Sequence, residues 1–160
     1  NEFDHWGLPP HWTDKAGQKR WLEGAKAFGR RIWEIVGERR NPAIVFEHPG
    51  EETIATSIFV CEPGGMVTIC AGTTGYSAMI DLRYHWTQQK RLQGSHGTND
   101  EQARAYNDLV CAGKIDPCLG RTIQFEEIPQ AHEDMYRGVH SFGNTVALVG
   151  SPRPGMGRKL

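Results

Sequence analysis

The sequence has no long apolar run, no close cysteine pair, no excess of either charge and no internal repeat, and each absence removes a class of protein. Nothing approaches the roughly 18 apolar residues that cross a bilayer, so no membrane partner is implied. Lys and Arg total 18 against 19 Asp and Glu, which leaves no field to gather nucleic acid. Cys61, Cys70, Cys111 and Cys118 form no C-x-x-C, and this usage fits a reduced, cytoplasmic chain better than a disulfide framework. The glycine fingerprint of a dinucleotide-binding sheet, G-x-G-x-x-G, is missing too: PGG at 63–65 and GTTG at 72–75 have the wrong spacing. NEFDHWG at the start is neither a signal peptide nor a plausible translation start, so the chain is expected to be a piece of something longer.

What is present is enough for a packed core, with 38% hydrophobic residues in 160. Residues 1–15 carry Trp6, Pro9, Pro10 and Trp12 without periodicity and read as an irregular lead-in. Trp21, Ala25, Phe28, Ile32 and Ile35 recur at helical spacing and predict a helix over 18–36, stopped by Gly37 and Pro42. AIVFE (43–47) is a continuous apolar run, the pattern of a strand covered on both faces in a parallel sheet. A second helix is expected over 51–60 with acidic residues in its first turn, followed by a buried strand, MVTICAG (66–72). Residues 76–90 are compatible with a helix or an extended edge. RLQGSH returns to strand, and Thr98-Asn99-Asp100-Glu101 reads as a capping box opening a helix to about Cys111, with Ala103, Tyr106 and Val110 inward and Gly113 as its stop. RTIQFEEI (121–128) alternates as a strand with Ile123 and Phe125 on one face. A helix over 129–138 with Pro129 in its first turn, a strand TVALVGS (145–151) and a loose tail complete the chain. Helices alternating with strands define an α/β, doubly wound parallel sheet.

In such a sheet a ligand binds beyond the carboxyl ends of the strands. Three loops lie there: EHPG after the first strand, AGTTGY after the second and SHGTND after the third. His96 in the last is either a working group of that crevice or a polar loop residue. Arg83 is read as a surface arginine or a phosphate ligand, Tyr84 and Trp86 as core, and Cys70 as a small buried hydrophobe. HEDMYRGVH (132–140) fails as a metal motif because its histidines stand two turns apart across Gly138, and Glu126-Glu127 reads as a solvated strand end. No metal site is expected.

Taken together, NEFDHWG, FGRRIWEIVG, IVFEHPGEET, GGMVTICAGTTGY, DLRYHW, QKRLQGSH and KIDPCLG resemble the C-terminal part of the crotonyl-CoA (ethylmalonyl-CoA) carboxylase/reductases, of the medium-chain dehydrogenase/reductase superfamily. The resemblance runs from Asn1 to about Val149. It implies that the chain begins after the third strand of a Rossmann-type sheet, which would account for the missing fingerprint. It implies residues 1–115 as the C-terminal half of the NADPH-binding domain and 116–160 as a strand, helix and strand returning to the catalytic domain, with a loose tail. The implied reaction is the NADPH-dependent reductive carboxylation of an enoyl-CoA with carbon dioxide, by a cytoplasmic homo-oligomer, dimer or tetramer. Without the missing N-terminal half, the resemblance implies that these residues alone are inactive.

The same resemblance implies that His96 orients carbon dioxide, that Glu47, His48, Pro49, Ala71, Gly72, Thr73 and Thr74 approach the nicotinamide, and that Arg83 contacts coenzyme A. One departure stands out: the family's H-F-A-N is His96-Gly97-Thr98-Asn99 here, which bears on carboxylation efficiency and acyl-chain preference. A plain enoyl-CoA or quinone-type reductase and a non-catalytic association module are the alternatives.

Overall fold

The structure, a computed structural model, describes residues 9–151. NEFDHWG at the start and the tail beyond 151 lie outside the described residues. The chain divides into two compact units between Gly97 and Thr98.

The first unit opens with helix α1 (Lys15–Val36). The Asp14 side chain accepts from the Gly17 N–H at 2.9 Å, capping an otherwise orphaned donor, and the helix ends where the Gly37 N–H donates to the Trp33 carbonyl. Strands β1 (Ile44–Glu47), β2 (Met66–Ile69) and β3 (Arg91–Gly94) form a parallel sheet in that order, with Ile44 opposite Met66 and Met66 opposite Arg91. Helix α2 (Ile54–Val60) joins β1 to β2.

Two apolar clusters hold these elements together. Ile54, Ile58 and Cys61 bury Val67 of β2, while Trp21 and Ala25 of α1 pack on Ala55 with Phe59 and Tyr84 at their edge. Phe59 and Tyr84 meet edge to face with ring centroids 5.0 Å apart.

Several sequence expectations shift. β1 is covered on one face only: Ile44 and Phe46 are 65% and 68% exposed, because the helices packed on the strand meet Val45 and Glu47 instead. The last turn of α1 is open as well, with Ile35 exposed. α2 starts at Ile54 and not at Glu51, since the Gly50 carbonyl takes the N–H groups of Thr53 and Ile54 and the acidic pair is left in the preceding turn. The undecided stretch is a loop followed by α3 (Leu82–Trp86), capped by Asp81; Trp86 is exposed, as is Cys70. Neither is a core residue.

Lys90, just before β3, is buried, and its ammonium donates to the carbonyls of Ile58 and Phe59 at 2.6 and 3.2 Å. It thereby satisfies acceptors in the last turn of α2, where a cation suits the helix dipole. Burial holds its pKa below the ordinary lysine value of 10.5. The folded state therefore releases this proton at lower pH than the unfolded chain, and unfolding free energy rises with pH between the depressed value and 10.5. Urea unfolding across that window is expected to show this rise in the native chain and its absence in Lys90→Met.

The second unit contains α4 (Asp100–Cys111), β4 (Leu119–Gln124), a 3₁₀ turn (Phe125–Glu127), α5 (Ile128–Tyr136) and β5 (Asn144–Leu148). Here β4 and β5 pair in parallel, with Ile123 and Ala131 buried. The capping box sits one residue later than expected: Asn99 and Gln102 exchange side-chain and backbone bonds, because the asparagine side chain reaches the third helical N–H. Ala103 and Tyr106 are exposed, so the apolar stripe of α4 is not an inner face here. Phe125 falls outside the strand, because the Glu127 carboxylate accepts the Gln124 N–H and turns the chain there. Pro129 lies in the first turn of α5.

Candidate functional site

Three loops leave the carboxyl ends of β1, β2 and β3 side by side in the first unit, which includes the third loop as far as Gly97. Adjacent parallel strands bring them together, and the ladder extends beyond the strand ends: Cys70 N–H donates to the Glu47 carbonyl, and Ser95 N–H to the Ile69 carbonyl.

The first two loops are laced to each other. Thr74 donates to the Pro49 carbonyl through both its backbone N–H and its hydroxyl, each at 2.9 Å, and the same hydroxyl oxygen accepts the Glu52 N–H. Ser77 N–H donates to the Glu51 carboxylate. Gly50 and Gly75 form an isolated parallel bridge. Gly50 has φ +91°, and a Cβ there would lie 3.0 Å from the Gly72 Cα and 3.2 Å from the Gly75 carbonyl oxygen. Only glycine meets both demands. At Gly72 the limit is the Tyr76 ring, 2.9 Å from where a Cβ would stand.

Of the residues singled out in the sequence, His48, Pro49, Ala71, Gly72, Thr73 and Thr74 belong to this laced pair. Glu47 stands at its base with its side chain turned inward: its carboxylate is 2% exposed and accepts from Gly50 N–H, Thr53 Oγ1 and Ser57 Oγ. His96 is exposed on the third loop and has no hydrogen bond or ion pair among the described residues. Gly97 beside it leaves open space where a side chain would project.

Arg83 stands apart on α3. Its guanidinium forks onto Asp81, which holds the aspartate pKa below the ordinary carboxylate value. Sequence reasoning placed Gly50 in a candidate loop without assigning it a role and missed Glu51, Thr53, Ser57 and Asp81, all small or polar residues whose roles depend on which loop they face. The spacing of Glu47, Gly50, Thr53 and Ser57 is the available signal, since it winds one turn and a short helix over a single carboxylate.

A groove of about 500 Å³ lies elsewhere, between α1, α2 and α3 near the amino ends of the strands, lined by Lys26, Arg30, Arg39, Trp33, Phe59 and Tyr84 among others. Among the described residues, no group of three or more His, Cys, Asp or Glu side chains is placed to hold a metal ion, and no helix is long and apolar enough to cross a membrane.

A family model described as zinc-binding dehydrogenase matches residues 35–146. The crotonyl-CoA carboxylase/reductase of Cereibacter sphaeroides is 46% identical over 155 residues, which is 97% of this chain and 36% of that protein. The crotonyl-CoA reductase of Streptomyces collinus is 42% identical over 148 residues, 91% of this chain and 32% of that protein. Among solved structures, the crotonyl-CoA carboxylase/reductase AntE in complex with NADP is similar with a TM-score of 0.85 at 53% identity, covering 95% of this chain and 38% of that one. The 2-octenoyl-CoA carboxylase reductase CinF, in complex with NADP and 2-octenoyl-CoA, gives a TM-score of 0.72 at 32% identity, covering 87% and 31%. The chain spans about a third of the length of the curated relatives it matches.

Proposed function

Because this chain belongs to the zinc-binding dehydrogenase family, of the medium-chain dehydrogenase/reductase superfamily, we propose that it is the C-terminal part of an NADPH-dependent enoyl-CoA carboxylase/reductase. The observation that carries this reading is the laced pair of glycine-containing loops at the carboxyl ends of parallel strands. A nicotinamide ring needs backbone that can come close, and these loops offer it at their glycines. NADPH, when bound, supplies a hydride to the β-carbon of the enoyl-CoA, and the enolate so formed takes carbon dioxide at its α-carbon to give an alkylmalonyl-CoA.

In this reading His48, Pro49 and Ala71–Thr74 form the wall at the nicotinamide end of the crevice. His96 on the neighbouring loop holds carbon dioxide through a hydrogen bond while water is kept away, since a proton from water would quench the enolate and end the reaction at simple reduction. Arg83 meets a coenzyme A phosphate by exchanging part of its pairing with Asp81. Residues 1–115 belong to the nucleotide-binding domain and 116–160 to the segment that returns to the catalytic domain. The complete enzyme is a cytoplasmic homo-oligomer whose remaining part supplies the pyrophosphate loop. The metal in the family's name has no donor set among the described residues.

The complete protein, given crotonyl-CoA, NADPH and bicarbonate, is expected to yield ethylmalonyl-CoA by mass spectrometry. Butyryl-CoA as the sole product would remove the carboxylase part and leave a plain reductase. Failure to bind NADPH at all would point instead to an association module.

A further inference from the structure

We propose that Glu47 is a positioning residue for this reaction, setting the nicotinamide side of the crevice through the backbone and without touching the cofactor, a proposal that rests on the reading just given. A buried carboxylate is costly unless its oxygens are satisfied, and among the described residues no lysine or arginine pairs with Glu47. One short stretch of chain satisfies it. Gly50 N–H and Thr53 Oγ1 donate to one carboxylate oxygen at 2.9 and 2.6 Å, and Ser57 Oγ donates to the other.

These donors fold the loop after β1 back over its own strand and so fix Pro49 and Gly50. From Pro49 the constraint passes to Thr74, whose N–H and hydroxyl both donate to its carbonyl, and from Gly50 to Gly75 through the bridge. The placement of residues 72–74 thus depends on a carboxylate buried on the neighbouring strand. A direct role on a ligand would require Glu47 to abandon its donors, leaving the buried Gly50 N–H without its acceptor.

In the complete enzyme, Glu47→Ala is expected to lower kcat by about 100-fold, the scale of an ångström-sized misplacement, and to raise the share of merely reduced product. Amide exchange should quicken at His48 and Gly50 and also at 72–77, while β2 and β3 keep their protection. Glu47→Gln retains the shape and one acceptor oxygen, and is expected to recover kcat to within about tenfold of the native value. Thr53→Val removes one donor with little change of volume, and should move the same quantities by a smaller factor even if the alanine variant does not fold. Exchange that rises at His48 and Gly50 but not at 72–77 would overturn the proposal, as would a glutamine variant as slow as the alanine one. An NADPH titration of the native enzyme separates this from the underlying reading. A native enzyme that does not bind NADPH overturns the cofactor assignment whatever the variants do; one that binds and reacts, with an equally fast Glu47→Ala variant, overturns the role of Glu47 alone.

Discussion

Gly50→Ala in the complete enzyme is expected to cut NADPH consumption with crotonyl-CoA by about 100-fold. Two costs fall on the same atom. At φ +91° the residue lies in the left-handed region, where a side chain costs about 1–2 kcal/mol. The new Cβ would also press on the Gly72 Cα and the Gly75 carbonyl, both backbone, so no rotamer change can yield. The facing loop must give by a few tenths of an ångström, which strains the bonds from Thr74 to Pro49. Gly64→Ala is the matched control. Its φ is +74° but its Cβ would meet open space, so it shares the backbone strain and spares the lacing. Steady-state absorbance of NADPH decides the matter: equal rates for the two variants would mean that the contact between the loops does not govern hydride transfer.

His96→Ala should lower the ratio of carboxylated to reduced product by about tenfold, the 1.4 kcal/mol scale of one good hydrogen bond. Among the described residues the ring is exposed and has no hydrogen bond or ion pair, so in the proposed role its nitrogens are open to a carbon dioxide oxygen. Its loss should bear on the fate of the enolate more than on its formation, so total NADPH consumption should change less than the ratio. Liquid chromatography of the acyl-CoA products at saturating bicarbonate reads both quantities in one experiment. An unchanged ratio would leave His96 as a polar loop residue.

The apolar periodicity of α1 and the run around Val67 of β2 were legible because they record burial, and burial is what the first unit's core is built from. Exposure was harder to read. Ile44 and Phe46 look like the interior of a two-sided sheet, yet sequence carries no count of the layers that cover a strand. The start of α2 was misplaced by the acidic pair Glu51-Glu52, which suits a helix dipole but lies in the turn held by Gly50. The three strand-end loops could be located as candidates from the alternation of elements alone, whereas the inward turn of Glu47 depends on tertiary donors six and ten residues away. Arg83 shows the same limit in reverse. Its charge was visible, and its engagement by Asp81 two residues earlier was not.

The interlocking of the first two loops also bears on entropy. A segment that orders only when its ligand arrives loses conformational freedom at that moment, and the loss weakens association. Here Thr74 is bonded to Pro49 and Ser77 to Glu51, so these contacts come from the chain itself. That side of the crevice has surrendered its freedom during folding, so docking against it is association with a preorganised wall.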